Sequence, residues 1–233
     1  NKIFKKEGGK GLFLKELENA LLDGEADIAV HSMKDVPAKL DERFNISTIM
    51  KREDPRDVFI SDKHKTLSDI ETGVIGSSSP RRQAIIKHIN SNIKSKEIRG
   101  NIQTRLEKLK KEQLDGIILA KSGLIRMGLD HVITESLSVN DFVPSPGQGI
   151  LCIECLSKND FIIKRIKKVV HVDTEICSAA ERIFARNMDG DCLSPIGAHA
   201  VIEKNLLTIT GYVASIDGTK FIRNKVSGKK DTY

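Results

Sequence analysis

Short apolar segments that alternate with helical segments between residues 73 and 127 constrain the fold of this 233-residue chain most strongly. GVIG (73–76), KEIRG (96–100) and GIILAKSG (116–123) are typical of short strands. Between them, SSSPRRQAIIKHI starts with serine caps and has Pro80 at its first helical position, and NIQTRLEKLKKEQLDG is amphipathic. A short helix follows through Met127. The pattern predicts a βαβαβ unit of about ninety residues.

The chain on either side of this unit has two different patterns. Before it, Leu14, Leu17 and Leu21 have helical spacing and the strand DIAV (27–30) follows, which predicts half of a βαβ unit and a parallel sheet. After it, a helix over 173–188 precedes three strand-like segments joined by the turns KN and DG. This last pattern predicts a small antiparallel α+β unit.

We therefore predict an α/β fold with two periplasmic-binding-protein-like βαβ domains, joined by crossing linkers, and a small C-terminal α+β domain. Because ILCIEC looks like a strand that returns to the first sheet, two linkers must cross, near 50–56 and 143–149. The predicted domains are 1–50 with 150–167, then 56–143, and finally 172–233.

Composition excludes some classes of function and favours others. The net charge of +6 makes an anionic partner plausible, such as nucleic acid, phosphate or carboxylates. Aromatic residues make up 4% of the chain and tryptophan is absent, which argues against stacking on single-stranded nucleic acid. No apolar run approaches the length of about 18 residues that spans a membrane. Cys152 and Cys155 form a C-x-x-C without a second pair, so we expect core cysteines and no metal site.

A lysine–aspartate pair, Lys34 and Asp35, follows the apolar strand after one short step of chain. In open parallel sheets, ligands bind at the carboxyl ends of strands. The pair is equally well explained as a surface ion pair or a turn, so position alone leaves both interpretations open.

Five of the 12 arginines lie in the βαβαβ unit, near its strand–helix junctions: Arg81, Arg82, Arg99, Arg105 and Arg126. Arginine binds carboxylates and phosphates through two parallel hydrogen bonds. Arg81 and Arg82 stand at a helix N-terminus, where the helix dipole disfavours cations, so a bound polyanion is favoured over simple exposure.

Two further segments are candidates for function. Cys192 lies in DGDCLSPIG (189–197), which reads as a tight, accessible loop, with a buried cap of the third core as the alternative. EGGKGLF (7–13) reads as a mobile loop, which an active-site lid also requires.

Seven motifs occur in order and at matching separations: GGKGLFLKELE, AVHSMKDVPAKL, SSSPRRQ, RGNIQTRL, LAKSGLIRMG, PSPGQGIL and GDCLSPIG. Together they resemble the porphobilinogen deaminase family, whose activity is that of hydroxymethylbilane synthase. Pro80 departs from the family, which usually has an apolar residue there. Counterparts of the family's first strand, with its arginine and serine contacts to the cofactor, and of its final helix are not found.

The resemblance implies a role for each candidate residue. Asp35 would be the central catalytic group, with Lys34 beside it pairing with substrate or cofactor carboxylates. Cys192 would carry a dipyrromethane cofactor through a thioether. Cofactor carboxylates would be bound by Lys34, Ser78, Ser79, Arg81, Arg82, Arg99 and Arg105, and substrate by Arg99, Arg105 and Arg126. The glycine-rich segment would cover the site.

The expected partner is thus the small-molecule substrate porphobilinogen, and neither nucleic acid nor a membrane is expected as a partner. We expect the protein to be a soluble monomer in the cytoplasm or in a plastid. The main alternative is a two-domain anion-binding receptor without catalysis, because fold alone does not decide function. A third is a nucleic-acid binder. Asp35 near the anion site and Cys192 in a separate domain both favour the enzyme over the receptor.

Overall fold

The computed structural model describes residues 8–48, 50–188 and 194–230, with side chains in 14–46, 50–188 and 194–230. The helices are α1 (Gly8–Leu22), α2 (Pro80–Ile89), α3 (Ile102–Lys111), α4 (Lys121–Arg126), α5 (Asp160–Ile166) and α6 (Val172–Asn187). Single 3₁₀ turns cover Met33–Asp35, Leu67–Asp69 and Asp130–Val132. None of the described helices combines the length and apolar character needed to cross a membrane.

The described strands form three sheets. They are β1 (Ala29–Ser32), β2 (Phe44–Thr48), β3 (Asp57–Ile60), β4 (Gly73–Gly76), β5 (Ile93–Lys96), β6 (Gly116–Ala120), β7 (Glu135–Ser136), β8 (Leu151–Leu156), β9 (Ile196–Glu203), β10 (Leu206–Ala214) and β11 (Phe221–Lys229). Their orders are β1-β8-β2, β5-β4-β6-β3-β7 and β11-β10-β9. The fold is mixed α/β with a small α+β unit at the C-terminal end, as predicted.

The first sheet corrects one prediction. Both of its strand pairs are antiparallel, with Val30 opposite Ile153 and Ile46 opposite Glu154. A helix before an apolar strand predicted a parallel sheet, but the neighbour of β1 is β8, which comes from far along the chain and runs the other way. β1 and β2 therefore run in the same direction with β8 between them.

The second sheet contains the predicted unit. β4 pairs in parallel with β5 and with β6, and α2 and α3 connect these strands, so the βαβαβ prediction is confirmed. The strand predicted at KEIRG is wrong, because β5 ends at Lys96. Ile98 lies beyond that end and is fully buried in the core. Its apolar character therefore reflects packing in the β5–α3 loop and not a strand.

The third sheet is antiparallel, as predicted. β10 lies between β9 and β11, and the register places Thr210 opposite both His199 and Lys225. Helix α6 packs on it through Cys177 and Ala180, which share a core with Ala200 and Leu207.

The chain crosses twice between the first two sheets. It passes from β2 to β3 through residues 50–56, and from β7 to β8 through a segment that includes 143–149. The crossing segments contact each other, because the Glu53 amide donates to the Gly149 carbonyl at 3.0 Å. The predicted domain boundaries follow these segments, and they stay a prediction.

Gly147 shows why the second crossing segment needs glycine. Its φ is 73°, in the left-handed region. A Cβ atom there would lie 2.6 Å from Cγ of Met33 and 3.1 Å from the backbone nitrogen of Lys34. The glycine therefore lets this segment approach the Lys34–Asp35 turn closely.

A substitution at Gly116 tests the packing of the second sheet. Its Cβ would overlap the ring of Phe59, which is fully buried, so Gly116→Ala should lower the free energy of unfolding by about 1–3 kcal/mol. Urea denaturation measures this change. Gly228→Ala is the matched control, because no atom lies within 4 Å of its Cβ position, and it should be nearly neutral. Equal stability of Gly116→Ala and wild type would contradict the described packing.

Candidate active site

The Lys34–Asp35 pair lies in a single 3₁₀ turn directly after β1. Met33 and Val36, on either side of the pair, are buried in one core cluster, and the Val36 amide closes the turn on the Met33 carbonyl at 3.1 Å. The two polar side chains between them are half-buried. Two core contacts therefore hold the turn in place while it presents Lys34 and Asp35.

Gln148 connects this turn to the second sheet. Its side-chain oxygen accepts from Nζ of Lys34 at 3.3 Å, and its amide nitrogen donates to the Pro55 carbonyl at 2.7 Å and to Asp57 at 2.9 Å. Only 1% of the residue is exposed. Because these bonds fix the orientation of the Gln148 amide, its oxygen is held where it accepts the hydrogen bond from Nζ of Lys34.

Asp57 is the most buried charged group of the site. No part of it is exposed, and its carboxylate accepts from Nη2 of Arg81 at 2.5 Å and from Nη2 of Arg82 at 2.7 Å. The remaining Nη donors go to the Val143 carbonyl, from Arg81 at 2.7 Å, and to the Ile118 carbonyl, from Arg82 at 3.0 Å. Burial alone would raise the pKa of Asp57, but the two guanidiniums lower it to well below its usual value.

The carboxylate of Asp57 thus binds the two arginines for which the sequence suggested a bound polyanion. Arg81 and Arg82, 3% and 7% exposed, face Asp57 at the start of α2. Each keeps a buried Nε without a hydrogen-bond partner in the described ranges. Ser78 and Ser79 are half-buried, and the Ser79 hydroxyl makes no capping bond. A polyanion is therefore not required to explain the two cations, and a role in binding one stays a prediction.

Arg105 lies within electrostatic reach of both halves of the site. Burial lowers the pKa of its guanidinium, Arg82 lowers it further, and Asp35 raises it. Its Nε donates to the Gly100 carbonyl at 2.8 Å. Arg105 therefore interacts electrostatically both with the catalytic candidate Asp35 and with Arg82.

Arg99 and Arg126 make separate contacts. The Arg99 side chain is 75% exposed and pairs with Glu97 at 2.7 Å. Arg126 is exposed at the end of α4 and donates to the Gly149 carbonyl at 3.2 Å. Their predicted roles in binding carboxylates stay predictions.

Three cysteines are buried and free, which confirms the expectation of core residues for Cys152 and Cys155 and places Cys177 with them. Burial raises the pKa of Cys152 to about 12 and of Cys177 to about 11, and it also raises that of Cys155. Such thiols are poor nucleophiles at neutral pH. Cys192, the predicted attachment point, lies outside the described residues.

The glycine-rich segment differs from the prediction. Helix α1 begins at Gly8, so the backbone from Gly8 to Phe13 is helical and does not form a loop. The side chains of this segment lie outside the described set, and the lid role stays a prediction.

Sequence reasoning missed Asp57 and Gln148. Asp57 begins DVFI, a strand whose four residues are all buried, and a charged residue in such a strand needs a partner. That signal was available in the sequence. Gln148 had no such signal, because its three contacts come from segments about 90 to 114 residues away.

Fold and site together define an α/β protein that presents one carboxylate, Asp35, among several cations. Lys34 lies beside it in the turn after β1, and Arg105, on α3, interacts with it electrostatically and also interacts with Arg82. This arrangement suits an enzyme that handles substrates bearing carboxylates and stabilises a developing positive charge.

Comparison with known proteins identifies the family. Residues 1–164 match the porphobilinogen deaminase, dipyrromethane cofactor-binding domain, and residues 175–232 match the porphobilinogen deaminase C-terminal domain. A porphobilinogen deaminase of Francisella philomiragia is 44% identical over 98% of this chain and 76% of its own length. One from Clostridium botulinum type Ba4 is 47% identical, over 98% and 78%. The chain belongs to the porphobilinogen deaminase family.

Among solved structures, a probable amino-acid transporter extracellular-binding protein of Bacillus subtilis has a TM-score of 0.44 at 14% identity. The match covers 76% of this chain and 77% of that one.

An Asp57 variant tests the buried network. Asp57→Asn leaves two buried guanidiniums without their counter-ion, so we expect the free energy of unfolding to fall by about 3–5 kcal/mol. Because the folded-state pKa of Asp57 is lowered, its contribution is full above about pH 4 and is lost as the pH falls further. The difference between wild type and variant should therefore shrink in acid, which urea denaturation at several pH values measures.

The control for this variant is Asp41→Asn, which changes an exposed carboxylate that pairs with Arg43. It should leave the free energy of unfolding almost unchanged at neutral pH. An Asp57→Asn protein as stable as the control would show that the buried pairs do not hold the site together.

Proposed function

We propose that this chain acts as a hydroxymethylbilane synthase in which Asp35 is the catalytic carboxylate and Cys192 carries the cofactor. The activity is that of its family: a transferase that deaminates porphobilinogen, joins four molecules onto a covalently bound dipyrromethane primer and releases hydroxymethylbilane. One observation carries the residue assignment. Asp35 lies at the end of β1, half-buried, where Lys34 flanks it and Arg105 interacts with it from the second sheet.

Asp35 fits the chemistry of the substrate, a pyrrole with an aminomethyl arm, an acetate and a propionate. Loss of ammonia leaves a cation that is shared with the pyrrole nitrogen. A carboxylate held beside that N–H stabilises the cation as it forms, and it can accept and return the proton that must move when the new carbon–carbon bond is made. The turn between buried Met33 and Val36 provides the fixed position that this role requires.

The cations fit a substrate and a cofactor that carry carboxylates. Arg81 and Arg82 bind the buried Asp57, whose single negative charge neutralises only one of the two guanidiniums. Lys34 reaches the same network through Gln148, and Arg105 interacts electrostatically with Arg82. We assign Lys34, Arg81, Arg82 and Arg105, with Ser78, Ser79 and Arg99, to the cofactor carboxylates. Arg105, with Arg99 and Arg126, would bind the incoming substrate.

The cofactor, when bound, supplies the pyrrole ring to which the first substrate is joined. Its attachment requires an accessible sulfur. The three described cysteines are buried and burial raises the pKa of each, so none is suited to attack as a thiolate. This leaves Cys192, within GDCLSPIG, as the proposed attachment point.

Replacement of the proposed catalytic carboxylate tests the assignment. Asp35→Asn should lower turnover by a factor of about 100 to 1,000, because removal of one preorganised electrostatic contact costs about 3–4 kcal/mol at comparable sites. The assay is the formation of hydroxymethylbilane by purified protein whose mass shows an attached cofactor. Asp27→Asn, an exposed aspartate just before β1, should keep wild-type activity. Retention of more than about a tenth of the activity by Asp35→Asn would refute the role.

Replacement of the proposed attachment residue tests the cofactor site. Cys192→Ala should lose the added mass of two porphobilinogen-derived rings, the Ehrlich colour reaction of a dipyrromethane, and activity. Cys152→Ala is the matched control and should keep all three, because its sulfur is buried. Peptide mapping that finds the rings on another cysteine, or full activity of Cys192→Ala, would rule out this attachment.

A further inference from the structure

Arg182, on α6, contacts the segment Met33–Ala38 on both sides of the proposed catalytic pair, Lys34 and Asp35. Its Nη2 donates to the Pro37 carbonyl at 2.8 Å and to the Ala38 carbonyl at 3.3 Å. Its Nη1 lies 3.5 Å from the Val36 carbonyl oxygen and 3.6 Å from the sulfur of Met33. Lys34 and Asp35 lie between these contact points, so the guanidinium spans the turn that presents them.

Arg182 hydrogen-bonds to backbone carbonyls, although an arginine withdrawn from water often pairs with a carboxylate. The residue is half-buried, and no ion pair to it occurs among the described side chains of 14–46, 50–188 and 194–230. Burial lowers the pKa of its guanidinium, which reflects the cost of removing the charge from water. Charge-assisted hydrogen bonds to the backbone carbonyls of 36–38 offset that cost. The hydrogen bonds of Arg182 thus hold the backbone of residues 36–38 in place.

The base of Arg182 is itself held firmly by the neighbouring residue, Glu181, which is fully buried. The Glu181 carboxylate accepts from Nη1 of Arg52 at 2.5 Å, from the Gly147 amide at 2.7 Å and from the Ala200 amide at 2.7 Å. Consecutive residues of α6 therefore bind the second crossing segment and the turn after β1. Movement of either relative to α6 would break these bonds.

We propose that Arg182 is a positioning residue for the family's reaction: it holds the Asp35 turn at a set place relative to α6, the helix that leads to Cys192. The inference rests on the proposed function, in which Asp35 acts on substrate joined to a cofactor on Cys192. Helix α6 ends at Asn187, five residues before Cys192 in the sequence. Arg182 thus connects the proposed catalytic group to the element that precedes the proposed attachment point.

A positioning role predicts a particular kinetic signature. On the described part of the chain Arg182 contacts the Met33 sulfur and the backbone carbonyls of 36–38, so its loss should misplace Asp35 and leave the groups that we assign to substrate binding in place. Arg182→Leu should lower kcat about tenfold to a hundredfold, the effect of losing charge-assisted hydrogen bonds, and change KM less than about threefold. Arg182→Lys, which keeps the charge but lacks the planar fork, should have an intermediate kcat.

The experiment measures kcat and KM on protein with cofactor attached, as shown by intact mass, together with the melting temperature. Arg186→Leu is the matched control, an exposed arginine one turn further along α6, and should match wild type. Arg182→Leu is also combined with Asp35→Glu, which shifts the carboxylate by one methylene. If Arg182 acts through Asp35, the combined loss in kcat should be smaller than the product of the two single losses.

Several results would overturn the proposal. These are an unchanged kcat in Arg182→Leu, a full kcat in Arg182→Lys, losses that multiply in the double variant, or a rise in KM that accounts for the whole effect. If Arg182→Leu does not fold, the Lys variant alone and in combination with Asp35→Glu decides the question. Failure of the proposed function has a different signature, because Asp35→Asn and Asp35→Glu would then keep wild-type kcat whatever Arg182 does.

Discussion

The buried carboxylate of Asp57 is the contact on which the rest of the site depends. It joins the first residue of β3 to the first turn of α2 and to the second crossing segment, through Arg81, Arg82 and Gln148. Removing one anion and two cations from water costs several kcal/mol per ion, and the two ion pairs and the hydrogen bonds of Gln148 offset part of that cost. Moving any of these three elements away from Asp57 would give up that compensation. Gln148 extends it to Lys34 on the first sheet.

A second buried carboxylate, Glu181, connects the C-terminal α+β unit to this arrangement. Its partners are Arg52 in the first crossing segment, the Gly147 amide in the second and the Ala200 amide in β9. Arg52 also donates to the backbone carbonyl of Gln148 at 2.8 Å, and the side chain of the same Gln148 contacts Lys34. The two carboxylates thus hold neighbouring residues of one short segment. The crossing segments are the common support of the site as well as covalent connections between sheets.

The sequence predicts local structure here better than long-range pairing. The βαβαβ unit was predictable because each of its helices and strands has a recognisable residue pattern within its own segment. Whether the first sheet is parallel or antiparallel depends instead on β8, which no local pattern relates to β1. Arg81 and Arg82 illustrate the same limit. Two cations at a helix N-terminus predicted a bound polyanion, which stays a prediction, and the anion that the structure shows at both is Asp57, 24 and 25 residues earlier. Ile98 led to a wrong strand prediction because, in the sequence, a buried apolar residue in a loop looks the same as one in a strand.

The internal anion changes what the arginine pair can do for a ligand. If only a ligand held Arg81 and Arg82, they would be free to adopt other rotamers in its absence, and binding would have to order them at a cost of about 0.5–1.5 kcal/mol for each side chain. Asp57, Val143 and Ile118 already order both guanidiniums, and one carboxylate leaves the pair with a net positive charge. Such a preorganised cationic pair attracts carboxylates without being rearranged by them. A reaction that adds four substrates in turn, each with two carboxylates, needs a site that stays the same as negative charge accumulates. In the role that we propose for Arg81 and Arg82, a pair fixed by its own protein would meet that requirement.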